Sequence, residues 1–430
     1  MSFLTEAFRE TIEKEGLGQE SMFTPTYSTG MDLFDFRNGR LESGLQLVGI
    51  DGGKIFTIIG KSGTGKTTYA IQAATSIVEP FENGQVIHLD YERATTRARI
   101  QQVTRWSEEL IKAKYLIMNR QIYSETLYKL IKATARIKID NFDKLKISTS
   151  KVNDKGEEIF VLPPTVFLVD SWATVVPKDI ADEGELSGQM AATAIAKTNN
   201  AIVKRITGVL EEANIILIII NHITQKIEIG PVKTQAQLNY LKQDESLPGG
   251  TSCLFLANTL LKLQASSKLE EEKDFGIKGF KVIAELIKSR SNEAGNKFEL
   301  IFSQSEGYSN ILTNFNMLKS LGYLKGNGRA YYFADAPDSK FTQKNFVERY
   351  KNDKALKDTF DRLSREELGK FLSGTNTTEL LGINDEDGKG EELELVENIK
   401  DNIWLANDGN KYYYNEQEET ITLVEDEITK

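Results

Sequence analysis

Hydrophobic residues in this chain gather in short, nearly continuous runs instead of the alternating pattern of a sheet that is wet on one face. Five runs stand out, at residues 55–59, 85–89, 166–169, 215–220 and 259–263. Continuous apolar runs of this length suit strands buried on both faces, and the stretches between them supply the covering helices. The pattern predicts an α/β fold with a mostly parallel sheet flanked by helices. Ahead of it, Phe3, Leu4, Ala7, Phe8 and Ile12 fall at helical spacing, so residues 3–15 are expected to form a short amphipathic helix whose apolar stripe packs on a neighbouring subunit. Residues 16–54 read as glycine-rich and loop-like. Two hairpins are expected: one inserted at about 140–163, with arms 146–151 and 157–162 around Asn153-Asp154-Lys155-Gly156, the other with arms 280–287 and 297–302. Beyond about Asn310 the pattern is mixed helical with glycine breaks.

Composition narrows the class. A chain of 430 residues with 40% hydrophobic and 27% charged residues fits a globular protein of two or three structural units. The expected division is residues 1–45 for subunit contact, 46–311 as the core, and 312–430 as a small C-terminal α/β region ending in an acidic tail. The longest purely apolar stretch, 215–220, is too short to cross a bilayer, and the N-terminus has no secretory pattern, so a cytoplasmic protein is expected. One cysteine, Cys253, and two histidines, His88 and His222, make neither an internal disulfide nor a four-ligand zinc site. Any metal must rely on oxygen ligands. The formal charge of -10 is unevenly placed, because residues 376–430 hold 16 acidic and 4 basic groups, leaving 47 acidic and 49 basic in the rest. The body is near neutral, and the tail either solvates the protein or competes with phosphates for a basic surface.

Candidate chemistry begins at Gly60-Lys61-Ser62-Gly63-Thr64-Gly65-Lys66-Thr67, a G-x-x-x-x-G-K-[ST] loop between a strand and a helical run, continued by Thr68. Its glycines let backbone N–H groups turn inward around phosphates. Lys66 reaches the β- and γ-phosphates, and the Thr67 hydroxyl serves Mg²⁺, so ATP and Mg²⁺ are the expected ligands. Asp170, ending the run Val166-Phe167-Leu168-Val169, is the expected second Mg²⁺ group. Glu92, just past the run that follows the loop's helix, is the expected carboxylate that orients the attacking water.

The order of the phosphate loop, Glu92, Val169-Asp170-Ser171 and Ile220-Asn221-His222 resembles the RecA family. So do Tyr27-Ser28-Thr29-Gly30-Met31-Asp32-Leu33 upstream, and Pro248-Gly249-Gly250-Thr251 with Ile287-Lys288-Ser289-Arg290 downstream. The likeness spans roughly residues 27–310. Histidine at 222, and Leu321-Gly322-Tyr323 with Gly328-Arg329-Ala330-Tyr331, look closest to the UvsX-type strand-exchange proteins of bacteriophages, which implies a host-cell cytoplasm. By this resemblance His222 senses the γ-phosphate, while Lys288 and Arg290 reach the ATP of a neighbouring subunit.

The resemblance further implies that residues 177–189 and 224–250 are the two DNA-binding loops. Within them Lys178, Gln189, Lys226, Lys233, Lys242, Gly249 and Gly250 are the candidate contacts, although Asp179, Asp182, Glu183 and Glu185 weigh against phosphate contact along the whole first loop. Where the family offers an acid and an aromatic to adenine, this chain has Arg93-Ala94-Thr95-Thr96-Arg97-Ala98-Arg99, from which an arginine could stack on the base. The implied activity is that of a DNA-dependent ATPase that forms helical filaments on single-stranded DNA and exchanges strands with homologous duplex, aided by a loading mediator and a single-strand-binding protein. Two other readings share the fold. A hexameric helicase or clock-type ATPase would form closed rings, and the 59 residues before the loop are few for such a helicase's extra domain. A non-catalytic mediator would bind ATP without turnover, against which Thr67, Glu92 and Asp170 argue.

Overall fold

The computed structural model describes residues 23–42, 44–120, 122–153, 156–182, 188–225, 241, 245–271, 274–327 and 330–372, and the tail strands 395–400, 403–406, 411–415 and 420–423. The expected amphipathic helix at 3–15 lies outside them.

Nine strands build the main sheet: β1 (Ile55–Gly60), β2 (Gln85–Asp90), β3 (Tyr115–Met118), β4 (Thr165–Asp170), β5 (Ile215–His222), β6 (Thr259–Leu269), β7 (Gly279–Ser289), β8 (Lys297–Ser303) and β9 (Gly307–Tyr308). They lie in the order β9-β8-β7-β6-β1-β5-β4-β2-β3. From β6 to β3 every neighbour is parallel, while β7, β8 and β9 join antiparallel. All five apolar runs are strands, the last extending to Leu269. Apolar residues follow one another in these runs, with few polar positions between them such as Thr57, His88 and Lys262, because successive side chains enter two different cores. Ile58, Val86, Val166, Leu168, Ile216 and Ile218 join one cluster with Tyr69, Ala70, Ala73 and Ile77 of helix α1 (Lys66–Val78). Ile59, Leu89, Phe167, Val169, Leu217 and Ile219 join the other with Leu127 and Ile131 of α2 (Ser124–Asp140), and Val203 and Ile206 of α3 (Gly188–Glu212).

Register aligns the ends of the parallel strands. Asp170 lies opposite Asp90, and His222 opposite Gly60. The phosphate loop, Glu92, Asp170 and His222 therefore leave the sheet along one edge, where open α/β sheets bind ligands.

Both expected hairpins are present. Ile147–Val152 pairs antiparallel with Glu158–Val161, and β7 with β8. The stretch read as loop-like is more ordered than that: Thr26–Tyr27 pairs with Ile50–Asp51, and Asp32–Arg37 is a helix with Leu33 and Phe34 buried. At six residues it is too short for a helical period to show.

Residues 310–372 add the helix Asn310–Ser320, the three-stranded sheet Leu324–Asn327, Ala330–Phe333 and Ala336–Phe341, and the helices Phe346–Asn352 and Lys354–Gly369. Phe315, Phe341, Phe346 and Phe360 pack into the same cluster as α1. The chain divides into two compact units, Met1–Gly374 and Thr375–Lys430. In the second, four antiparallel strands follow in chain order, Leu395–Lys400, Ile403–Ala406, Lys411–Asn415 and Thr420–Leu423. No helix among the described residues is long and apolar enough to cross a membrane.

Candidate active site

The phosphate loop turns between β1 and α1 on two glycines with positive φ, Gly63 at 77° and Gly65 at 83°. Gly65 has a second reason to be glycine, since a Cβ there would lie 2.8 Å from the Tyr308 hydroxyl. That hydroxyl donates to the Thr64 carbonyl at 3.0 Å, so β9 braces the loop from behind. Thr64 Oγ1 and Lys66 Nζ both donate to the Lys61 carbonyl, at 2.9 and 2.7 Å. The phosphate-binding ammonium is thus folded back on its own loop. Burial pushes Lys66 down to about 8, against the pull of Asp170 and Glu92.

Thr67 Oγ1 donates to Asp170 Oδ2 at 2.7 Å, which brings together the two groups assigned to Mg²⁺. Burial pushes the Asp170 carboxyl up to about 7, opposed by the Thr67 hydrogen bond and Lys66 and reinforced by Glu92 and Asp90. Its other oxygen, Oδ1, is buried without a hydrogen-bond partner. A buried acceptor left this way costs about 1–3 kcal/mol, and a hydrated cation would satisfy it.

Glu92 completes the group. Its Oε1 accepts from Ser171 Oγ at 2.7 Å and faces His222 Nε2 at 2.8 Å. One ligand-capable atom from each of Glu92, Asp170 and His222 lies within 4.8 Å of the others. The four residue types read from four separate stretches therefore converge on one strand edge. Ser171 was missed as a partner of Glu92, although its position directly after Asp170 is the signal that could have found it. Nothing local to Tyr308 points to the phosphate loop.

The segment that begins after His222 is fastened at its return. Asn221 Nδ2 donates to the Pro248 carbonyl at 2.9 Å, and Trp172 Nε1 to the Gly249 carbonyl at 2.8 Å. Gly249 and Gly250 both have positive φ, 85° and 97°, and a Cβ on Gly249 would come within 2.7 Å of the Trp172 carbonyl. Gly249 is required by this close approach, and Gly250 by another, since a Cβ there would come within 2.7 Å of Asn200 Oδ1. Lys178 is exposed at the start of the helix Lys178–Asp182, and its backbone N–H donates to Glu125 at 3.1 Å. Gln189 falls in the first turn of α3, and Lys226, Lys233 and Lys242 lie outside the described residues.

Lys288 and Arg290 are not brought to this chain's phosphate loop. Ser289 pairs with Thr259, and Thr259 with Phe56, which sets both basic residues at the far end of the strands from Gly60. Lys288 Nζ instead donates to the Phe255 carbonyl at 2.6 Å. Of the three arginines after Glu92, Arg99 meets the nucleotide side, donating to Thr68 Oγ1 at 3.3 Å and to the Gln304 carbonyl at 3.0 Å.

No family model matches the sequence. Among curated proteins, the chain is 24% identical over 378 residues to protein RecA of Aquifex aeolicus (strain VF5), covering 86% of this chain and 90% of that one. It is 24% identical over 322 residues to protein RecA of Aquifex pyrophilus, covering 74% and 76%. It is also 23% identical over 342 residues to protein RecA of Staphylococcus epidermidis, covering 77% and 81%. Similarity over most of the chain, on a helix-flanked and mostly parallel sheet, supports membership of the RecA family.

Proposed function

We propose that this chain is an ATP-dependent recombinase, close to the UvsX-type proteins of phages, that forms helical filaments on single-stranded DNA and exchanges strands with homologous duplex. The observation that carries the reading is the shared strand edge: Thr67 with Asp170, and Glu92 with Ser171 and His222, stand where the 224–250 segment leaves β5. The residues fit a Mg²⁺-bound triphosphate. The inward-turning loop and the α1 N-terminus suit phosphates, and the orphaned Asp170 Oδ1 beside the Thr67 hydroxyl suits a hydrated cation. The ion supplies charge neutralisation and a fixed phosphate geometry.

In this reading Lys66 exchanges the Lys61 carbonyl for phosphate oxygens. Glu92 orients water for attack at the γ-phosphate and takes up its proton at the carboxylate. His222, bonded to Glu92, registers the change at the root of the DNA segment. Lys288 and Arg290, remote from their own chain's loop, act on the ATP of the next subunit, so nucleotide and polymer depend on each other. Residues 1–45 supply subunit contact, 46–311 form the ATPase core, and 312–430 carry the acidic tail, which competes with DNA phosphates for basic surface.

The direct test is strand exchange between homologous single- and double-stranded DNA with Mg-ATP, run beside a Lys66→Ala variant. Exchange is expected with the wild type, together with ATP hydrolysis stimulated by single-stranded DNA, and both are expected to vanish in Lys66→Ala. Hydrolysis that ignores DNA, with no exchange, would overturn the reading.

A further inference from the structure

Lys61 occupies the first variable position of the phosphate loop and faces two ways. Its carbonyl holds the Lys66 ammonium at 2.7 Å, and its own ammonium lies 3.3 Å from Glu245 Oε1. The two partners differ sharply in exposure, 52% for the Lys61 side chain and 4% for that of Glu245. Glu245 belongs to the two-residue strand Glu245–Ser246, which pairs with Thr224–Gln225, separated from His222 by one residue. The return of the segment is thus tied to the site by two kinds of bond. Neutral hydrogen bonds hold Pro248 and Gly249, and an ion pair reaches Glu245. Of these ties, the ion pair responds directly to charge arriving in the phosphate loop.

We propose that the terminal phosphate of a bound triphosphate competes with the Glu245 carboxylate for the Lys61 ammonium, so that residues 245–246 report whether a γ-phosphate is present. The inference rests on the nucleotide-site reading above and adds to it a positioning pair. A buried carboxylate needs opposing charge more than an exposed one does. Drawing Lys61 toward phosphate therefore raises the cost of keeping Glu245 where it is. A diphosphate, lacking the terminal group, leaves the pair intact.

The test uses the full chain with Glu245→Gln, Lys61→Met and the double variant. Affinities are measured in Mg²⁺ for a non-hydrolysable ATP analogue, for ADP, and for single-stranded DNA under each nucleotide. Glu245→Gln frees Lys61 and is expected to tighten the analogue relative to ADP by about three- to tenfold, within the range of coupled neighbours. Lys61→Met is expected to lower the same ratio, and adding Glu245→Gln to it is expected to change nothing further. Because Lys61 is half exposed, its variant carries the test even if Glu245→Gln folds poorly. Equal shifts for analogue and ADP in Glu245→Gln, or the same effect of that change in the Lys61→Met background, would make Glu245 merely structural and overturn the proposal. The DNA arm separates the two readings. A nucleotide-dependent grip on DNA that weakens in Glu245→Gln supports both, whereas wild-type binding that ignores nucleotide while the analogue-to-ADP ratio still shifts upholds the ion pair and removes the recombinase.

Discussion

At Asp170 burial and hydrogen bonding pull against each other. Removal from water favours its neutral form, while the Thr67 hydroxyl and Lys66 favour the carboxylate. Glu92 is less constrained, exposed and held by Ser171 and His222. That difference suits a fixed cation ligand on one side and a water-orienting base on the other. Glu92→Gln keeps the shape and the hydrogen-bonding capacity but removes the base. Steady-state turnover is expected to fall about 10²–10⁴-fold, with the affinity for Mg-ATP in a binding titration nearly unchanged. Turnover within tenfold of wild type would take Glu92 out of that role. The phosphate loop, Glu92 and Asp170 could be read from the sequence because each is short-range, a motif or a polar residue at or just past the end of an apolar run, whereas His222 came with the family resemblance. The brace from Tyr308 to Thr64 could not be read either way, because it joins residues 244 apart in the chain.

Elements show the same division. The five central strands announced themselves because burial on both faces leaves few polar breaks. Lys138 did the opposite, looking like an ordinary charged position near the end of a helix while its ammonium is buried and donates to the carbonyls of Pro163 and Asn214 at 2.7 and 3.2 Å. It pins the end of α2 to the starts of two strands. Burial lowers its pKa from 10.5 to about 7. Between those values the folded chain binds fewer protons than the unfolded one, so raising the pH through this window stabilises the fold. Chemical unfolding from pH 7 to 10 is therefore expected to show wild type gaining stability relative to Lys138→Met. A difference that stays flat with pH would mean that the ammonium keeps its ordinary pKa in the fold. The four strands of the tail, at 395–423, were hidden for another reason: they are short and set among acidic residues, and an isolated apolar run such as 403–406 does not by itself announce a sheet.

Across the whole molecule, one sheet edge gathers the nucleotide groups and the root of the 224–250 segment, while Lys288 and Arg290 stand at the other end of the strands. A single subunit therefore cannot complete its own site with those cations. Either they are ordinary surface charges, or a second copy brings them to the phosphates, and only the second case links polymer to nucleotide. The deciding measurement is electron microscopy, with sedimentation, of the purified protein on single-stranded DNA in Mg²⁺ with a non-hydrolysable ATP analogue and, separately, with ADP. Extended open helical filaments with the analogue, lost or shortened with ADP, are the predicted result. Closed six-membered rings, or a protein that stays monomeric and indifferent to DNA with the analogue bound, would contradict it.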